Sequence, residues 1–107
     1  MKRVTICDIP VDSLTMRETI GLIDDAITRR KPIHHVVINA AKVVNAQKDT
    51  ALKESIVSCD IINADGQAIV WASRFLGRPL PERVAGIDIM ANLVKLAAEK
   101  KYRIFFL

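Results

Sequence analysis

Apolar residues recur along this chain in two rhythms, and the switches between them predict the order of its elements. Lys2 to Ile9 ("KRVTICDI") reads as a first strand, ended by Pro10. In "DSLTMRETIGLIDDAITRR", Met16, Ile20, Ile23 and Ile27 return at helical intervals, and Thr15 and Glu18 have the spacing of a capping box. Arg29, Arg30 and Lys31 suit the negative end of that helix dipole, and Pro32 stops it. The rhythm then shortens in "IHHVVIN", a β-branched run that predicts a strand.

After Asn39, "AAKVVNAQKD" predicts a short helix, and Asp49-Thr50 caps another, "ALKESIVSC". "DIINA" predicts a strand that runs into an Asp65-Gly66 turn. Gly66 to Leu76 follows as a helix apolar enough to be buried on most sides, ended by Gly77 and Pro79. A loop over residues 77–86 leads to the helix "IDIMANLVKLAAEKK", with Asp88 in its first turn and lysines in its last. "YRIFFL" begins a final strand. Strands alternating with helices predict parallel βαβ units, hence an α/β fold: a Rossmann-like three-layer sandwich with a mainly parallel sheet. Ile104 to Leu107 has the continuous apolarity of a central strand with nothing after it to cover it. The domain is therefore expected to be truncated after its last strand, with residues 1–107 the N-terminal part of a single domain. Such a piece on its own is expected to be aggregation-prone or oligomeric, and inactive.

Composition narrows this picture without redrawing it. Half of the 107 residues are hydrophobic but only 5% are aromatic, so the core must be aliphatic. No apolar stretch has the length of a membrane span, and Lys2-Arg3 precedes no apolar run of signal-peptide type, which gives a cytoplasmic expectation. Cys7 and Cys59 have no CxxC spacing and read as small core residues. His34-His35 sits in a strand-like run with no third ligand at metal spacing, so it reads as structural, and no metal or cofactor is expected. The net charge of +4 is compatible with a nucleotide diphosphate or an anionic membrane surface. Basic and aromatic residues are not interleaved as in nucleic-acid binders, and neither a G-x-G-x-x-G nor a Walker loop is present.

In open α/β sheets, ligands bind beyond the carboxyl ends of the strands. Asn39 and Asp65 both fall there, at the ends of the second and third predicted strands. Each has a structural alternative, Asp65 as a turn residue or helix N-cap and Asn39 as a cap. Arg83 stands on a loop stiffened by Pro79 and Pro81, and its alternative is an ion pair with Glu82, Asp88 or Asp65. Gly66 lets the backbone approach a ligand, and the helix it opens can bind a phosphate. Gln67 and Asp88 are further candidates, Asp88 also being a dipole-favoured first-turn residue.

"NADGQAIVWASRFLGRPLPERVAGIDIM", with "INAAKVVNAQKD" upstream, resembles the signature of the WecG/TagA/CpsF family of bacterial glycosyltransferases, and the resemblance extends from about Val4 to Leu107. It implies an inverting enzyme that moves an N-acetylhexosamine-type sugar from a UDP-sugar to a polyprenyl-diphosphate-linked acceptor, in cell-surface polysaccharide or teichoic acid synthesis. Asp65 falls on the family's proposed catalytic carboxylate, and Asn39 and Arg83 fall on polar residues of the sugar-nucleotide site. A lipid-linked acceptor implies peripheral attachment at the inner face of the cell membrane, expected largely through residues beyond Leu107. Val37 replaces a threonine and Ala41 an acidic residue of many relatives, which bears on sugar specificity. The alternative is a non-catalytic nucleotide-binding or assembly module, or an inactive fragment, and self-association is open in either case.

Overall fold

The computed structural model describes residues 3–105. The chain opens with a hairpin where one strand was expected. β1 (Arg3–Ile6) pairs antiparallel with β2 (Ile9–Asp12), matching Ile6 to Ile9 and Arg3 to Asp12. Cys7 (φ 47°) and Asp8 (φ 64°) form the connection, both left-handed as a type I′ hairpin turn requires. Pro10 therefore lies inside β2. Ile6–Ile9 closes the loop, so alternation puts Pro10 at a position whose N–H the ladder does not use. Cys7 is exposed on the turn, not in the core, whereas Cys59 is partly buried against the core.

α1 (Met16–Thr28) starts at Thr15 with the expected reciprocal box: the Glu18 N–H donates to Thr15 Oγ1 at 3.1 Å, and the Thr15 N–H donates to Glu18 Oε1 at 3.0 Å. β3 (His35–Ile38) and β4 (Ile61–Ala64) pair in parallel, His35 opposite Ile61 and Ile38 opposite Ala64. Between them run α2 (Ala40–Lys48), capped by Asn39, and α3 (Thr50–Val57), capped by Asp49. α4 (Gln67–Phe75) follows β4, and α5 (Gly86–Lys100) follows a loop.

The two faces of the parallel pair bury different clusters. Ile38, Ile62 and Ala64 pack with the hairpin, α2, α3 and α4, while Ile61 packs with Ile23 of α1 and Ile89 of α5. Alternate residues of one strand thus feed opposite faces, as the pleat demands. Among the described residues the architecture is α/β with one parallel pair and one antiparallel hairpin, a smaller and more mixed sheet arrangement than a mainly parallel one.

The hairpin is fastened to the parallel pair by a buried carboxylate. Asp12 accepts from Arg3 Nε at 2.7 Å through Oδ1 and from the Ile62 N–H at 2.7 Å through Oδ2. Asn63, also fully buried, is satisfied on both ends, by His35 Nε2 at 2.6 Å and Thr19 Oγ1 at 3.0 Å. This gives His35 the structural role expected of the histidine pair.

Two further expectations fail. α4 is not buried on most sides: Ile69, Val70 and Ser73 face inward, but Trp71 is 63% and Phe75 93% exposed. Apolarity alone did not distinguish a helix covered all round from one with an apolar outer stripe. Tyr102 to Phe105 is also not a strand, and the remainder of the expected final strand, Phe106 and Leu107, lies outside the described residues. Lys101 ends α5 in the left-handed conformation (φ 61°), and the Tyr102 N–H bonds back to the Ala97 carbonyl at 2.9 Å. That turn directs the chain against α1, where Tyr102 and Lys100 both donate to Asp24, at 2.7 and 2.6 Å.

Hydrogen bonds from Lys100 and then Tyr102 hold the Asp24 carboxyl below its usual range, and the bond to Asp24 holds Lys100 above its own. The depressed carboxyl contributes stability above the unfolded value and loses it as pH falls through the folded one. The raised ammonium contributes below its unfolded value and loses it as pH rises through the folded one. Melting temperature is thus expected to be flat between about pH 5 and pH 9 as far as this pair is concerned, and to fall outside that window. Asp24→Asn should reduce both slopes in a pH series of thermal melts. The effect is small because solvent screens the pair.

Candidate active site

Asn39 and Asp65 leave neighbouring parallel strands at the same end, the Asp65 N–H bonding the Ile38 carbonyl at 2.9 Å. Gly66 closes the gap between them. A Cβ there would lie 3.4 Å from both Cα and Cβ of Asn39, so the missing side chain lets the two strand exits meet. The sheet edge expected to carry the site therefore does bring Asn39, Asp65 and Gly66 together.

Their local roles differ. Asn39 is a helix cap, its Oδ1 accepting from the Lys42 N–H at 2.9 Å, which leaves its amide NH₂ as a donor. Asp65 is not a cap. Gly66 holds the N-cap position of α4, no side chain caps that helix, and the Asp65 carboxylate accepts no hydrogen bond among the described residues. Among the described residues its ion-pair partner is Arg83, with Nε 3.8 Å from Oδ1. That is an ion pair but too long for a hydrogen bond, so both groups keep their hydrogen-bonding capacity. With the side chains 49% (Arg83) and 35% (Asp65) exposed, the pair is worth at most about 1 kcal/mol to the fold.

Arg83 is held in place by its neighbours more than by the prolines. The Met16 N–H donates to Glu82 Oε1 at 2.6 Å, which engages that carboxylate at the start of α1. The Val84 N–H bonds the Ala64 carbonyl at 2.8 Å, and the Leu80 N–H bonds Ser73 Oγ at 3.0 Å. Of the three ion-pair partners weighed for Arg83, the one present is Asp65. Asp88 is an exposed first-turn residue of α5 that makes no ion pair with Arg83, and Gln67 is exposed at the start of α4.

Sequence reasoning placed α5 to within one residue but missed that its start lies beside Asp65. Gly86 opens that helix beside the carboxylate, where a Cβ would lie 3.9 Å from Asp65 Oδ2 and 3.2 Å from a Val37 methyl. Val37 thus packs against this turn. Ala85 precedes α5 without a side-chain cap, so α4 and α5 both present uncapped N-terminal N–H groups at this corner. Next to it lies a cavity of about 330 Å³ lined in part by His35, Val37, Lys42 and Gly86, in which Lys42 Nζ bonds the Val37 carbonyl at 3.0 Å. Chemically, the corner offers one unengaged carboxylate, one guanidinium and two positive helix ends, a set suited to taking a proton beside a bound anion.

The family model described as "Glycosyl transferase WecG/TagA/CpsF family" matches residues 4–107. A Bacillus spizizenii protein named N-acetylglucosaminyldiphosphoundecaprenol N-acetyl-beta-D-mannosaminyltransferase is 36% identical over 61 residues, covering 57% of this chain and 24% of that relative. Staphylococcus aureus proteins of the same name, from strains NCTC 8325 and COL, are 29% identical over 107 residues, covering 98% of this chain and 42% of theirs. The chain thus spans less than half the length of these relatives.

Proposed function

The chain belongs to the WecG/TagA/CpsF family of glycosyltransferases, and from that membership we propose that it takes part in moving an N-acetylhexosamine-type sugar from a UDP-sugar to a polyprenyl-diphosphate-linked sugar. The relatives' names supply the acceptor class. In this reading residues 1–107 are the N-terminal part of a single Rossmann-like, three-layer transferase domain that works peripherally at the inner face of the membrane. No helix among the described residues is long and apolar enough to cross one.

Asp65 acts as the general base. It takes the proton from the acceptor hydroxyl as that oxygen attacks the anomeric carbon, and the bond from that carbon to the diphosphate breaks on the opposite side, inverting the centre. The departing UDP gains negative charge, which Arg83 and the uncapped starts of α4 and α5 offset. Asn39 turns its free amide donor, and Gly66 and Gln67 their backbone N–H groups, toward the donor substrate. The observation that supports the reading is the Asp65 carboxylate at the sheet edge, which caps no helix and accepts no hydrogen bond among the described residues, with Arg83 at 3.8 Å.

The test begins with UDP. Removing a charge-assisted bond to a phosphate costs about 1.5–3 kcal/mol, so Arg83→Ala should weaken UDP binding by roughly 10–100-fold in calorimetric titration. UDP binding unchanged by Arg83→Ala would remove the diphosphate role. UDP binding without sugar transfer to any polyprenyl-diphosphate acceptor would favour a non-catalytic nucleotide-binding module.

A further inference from the structure

We propose that the outer face of α4 docks on an anionic phospholipid bilayer, with the Trp71 and Phe75 rings entering the interface and Arg74 meeting headgroup phosphates. This rests on the reading that the acceptor is lipid-linked, and it locates a membrane contact within these residues.

Helical spacing puts Gln67, Trp71, Arg74 and Phe75 on one stripe, opposite the buried Ile69, Val70 and Ser73, and Arg78 follows the end of the helix. Trp71 is 63% and Phe75 93% exposed, about one turn apart, and the C-cap Leu76 is 50% exposed. In a chain only 5% aromatic, with a single tryptophan, two of the largest rings are left in water side by side. A Trp and a Phe beside an arginine on the outer face of an amphipathic helix is the pattern of a segment that lies in a membrane interface.

Charge decides between a bilayer and a second copy of the chain. From Gly66 to Pro81 there are two arginines and no acidic residue. Arg78 is partly engaged by the Thr5 carbonyl at 3.2 Å, while Arg74 makes no ion pair among the described residues. A two-fold interface would set this face against itself, arginine toward arginine. An anionic headgroup layer complements it.

The orientation also serves the chemistry. α4 begins next to Asp65, and at 1.5 Å per residue Phe75 lies about 15 Å along the helix from it. A helix lying flat on the surface holds the carboxylate at headgroup depth, where the sugar of a polyprenyl diphosphate stands.

Trp71, the only tryptophan, is its own reporter. The chain is mixed with vesicles of equal phosphatidylglycerol and phosphatidylcholine, and with phosphatidylcholine alone. With the anionic vesicles, Trp71 emission should move to the blue and be quenched by brominated acyl chains, and high salt should reverse both. Arg74→Glu should weaken vesicle affinity at least about fivefold, given roughly 1 kcal/mol per basic residue at such a surface, and Phe75→Ser should weaken it comparably. Both positions are exposed, so the variants fold. Co-sedimentation with anionic vesicles while Trp71 emission stays water-like would overturn the docking face and leave membrane attachment standing elsewhere. Absence of any co-sedimentation would overturn it too, and a blue shift that grows with protein concentration without lipid would replace it with self-association. UDP titration of the same variants should match the parent, so a failed docking result is distinguishable from a failed sugar-nucleotide site.

Discussion

Asp65→Asn is expected to lower turnover by roughly 10²–10⁴ in a transfer-competent polypeptide carrying these residues, while UDP affinity stays within a few-fold. Asparagine keeps the shape of the side chain and removes its basicity, so the acceptor hydroxyl loses the group that takes its proton. The structure makes this substitution informative in a way the sequence alone did not. A helix-capping Asp65 would be replaced by asparagine with little consequence, but the carboxylate caps nothing and Gly66 holds the cap position. Folding is not at stake, because the half-exposed ion pair with Arg83 contributes at most about 1 kcal/mol. Arg83→Ala must behave differently, weakening UDP as well, since it acts on the leaving group. Single-turnover rates with saturating donor separate the two. A variant that transfers at the parental rate would leave the site without an assigned base.

What the sequence made legible was what is decided locally. The Thr15–Glu18 box, the Asp49 cap that divides α2 from α3 and the β-branched runs of β3 and β4 each depend on residues a few positions apart, and each stands where it was expected. The hairpin was missed because its turn is Cys7-Asp8, with none of the glycine or asparagine that usually marks two left-handed residues, and because Pro10 looked like a stop. α4 was misjudged because a run of apolar letters does not say which of them meet a neighbour. At the site, the approach of Asn39 and Asp65 followed from strand order, a fold-level rule. Gly86 beside Asp65 and the engagement of Glu82 by the Met16 N–H depend on how α5 and its loop return to the sheet, and no local pattern carries that.

Asp12→Ala is expected to lower stability by about 3 kcal/mol. The carboxylate is buried, and each of its oxygens takes one short bond, from Arg3 Nε and from the Ile62 N–H, both at 2.7 Å. Alanine strands a buried backbone donor on β4, at a residue with no exposure of its own. Arg3 is less badly affected, since its side chain is 35% exposed and its Nη2 still donates to the Cys59 and Asp60 carbonyls at 3.1 and 3.0 Å. The loss therefore falls between that of an orphaned N–H and that of a fully broken buried pair. Asp12→Asn should sit midway: its carbonyl can serve one donor, but its NH₂ must then face the other. Urea unfolding should show the midpoint falling in the order parent, Asn, Ala, with the slope unchanged if the hairpin and the parallel pair still unfold together. An alanine variant within about 0.5 kcal/mol of the parent, the range of ordinary surface changes, would mean that apolar packing of Val4, Ile6, Ile9 and Val11 alone holds the hairpin in place.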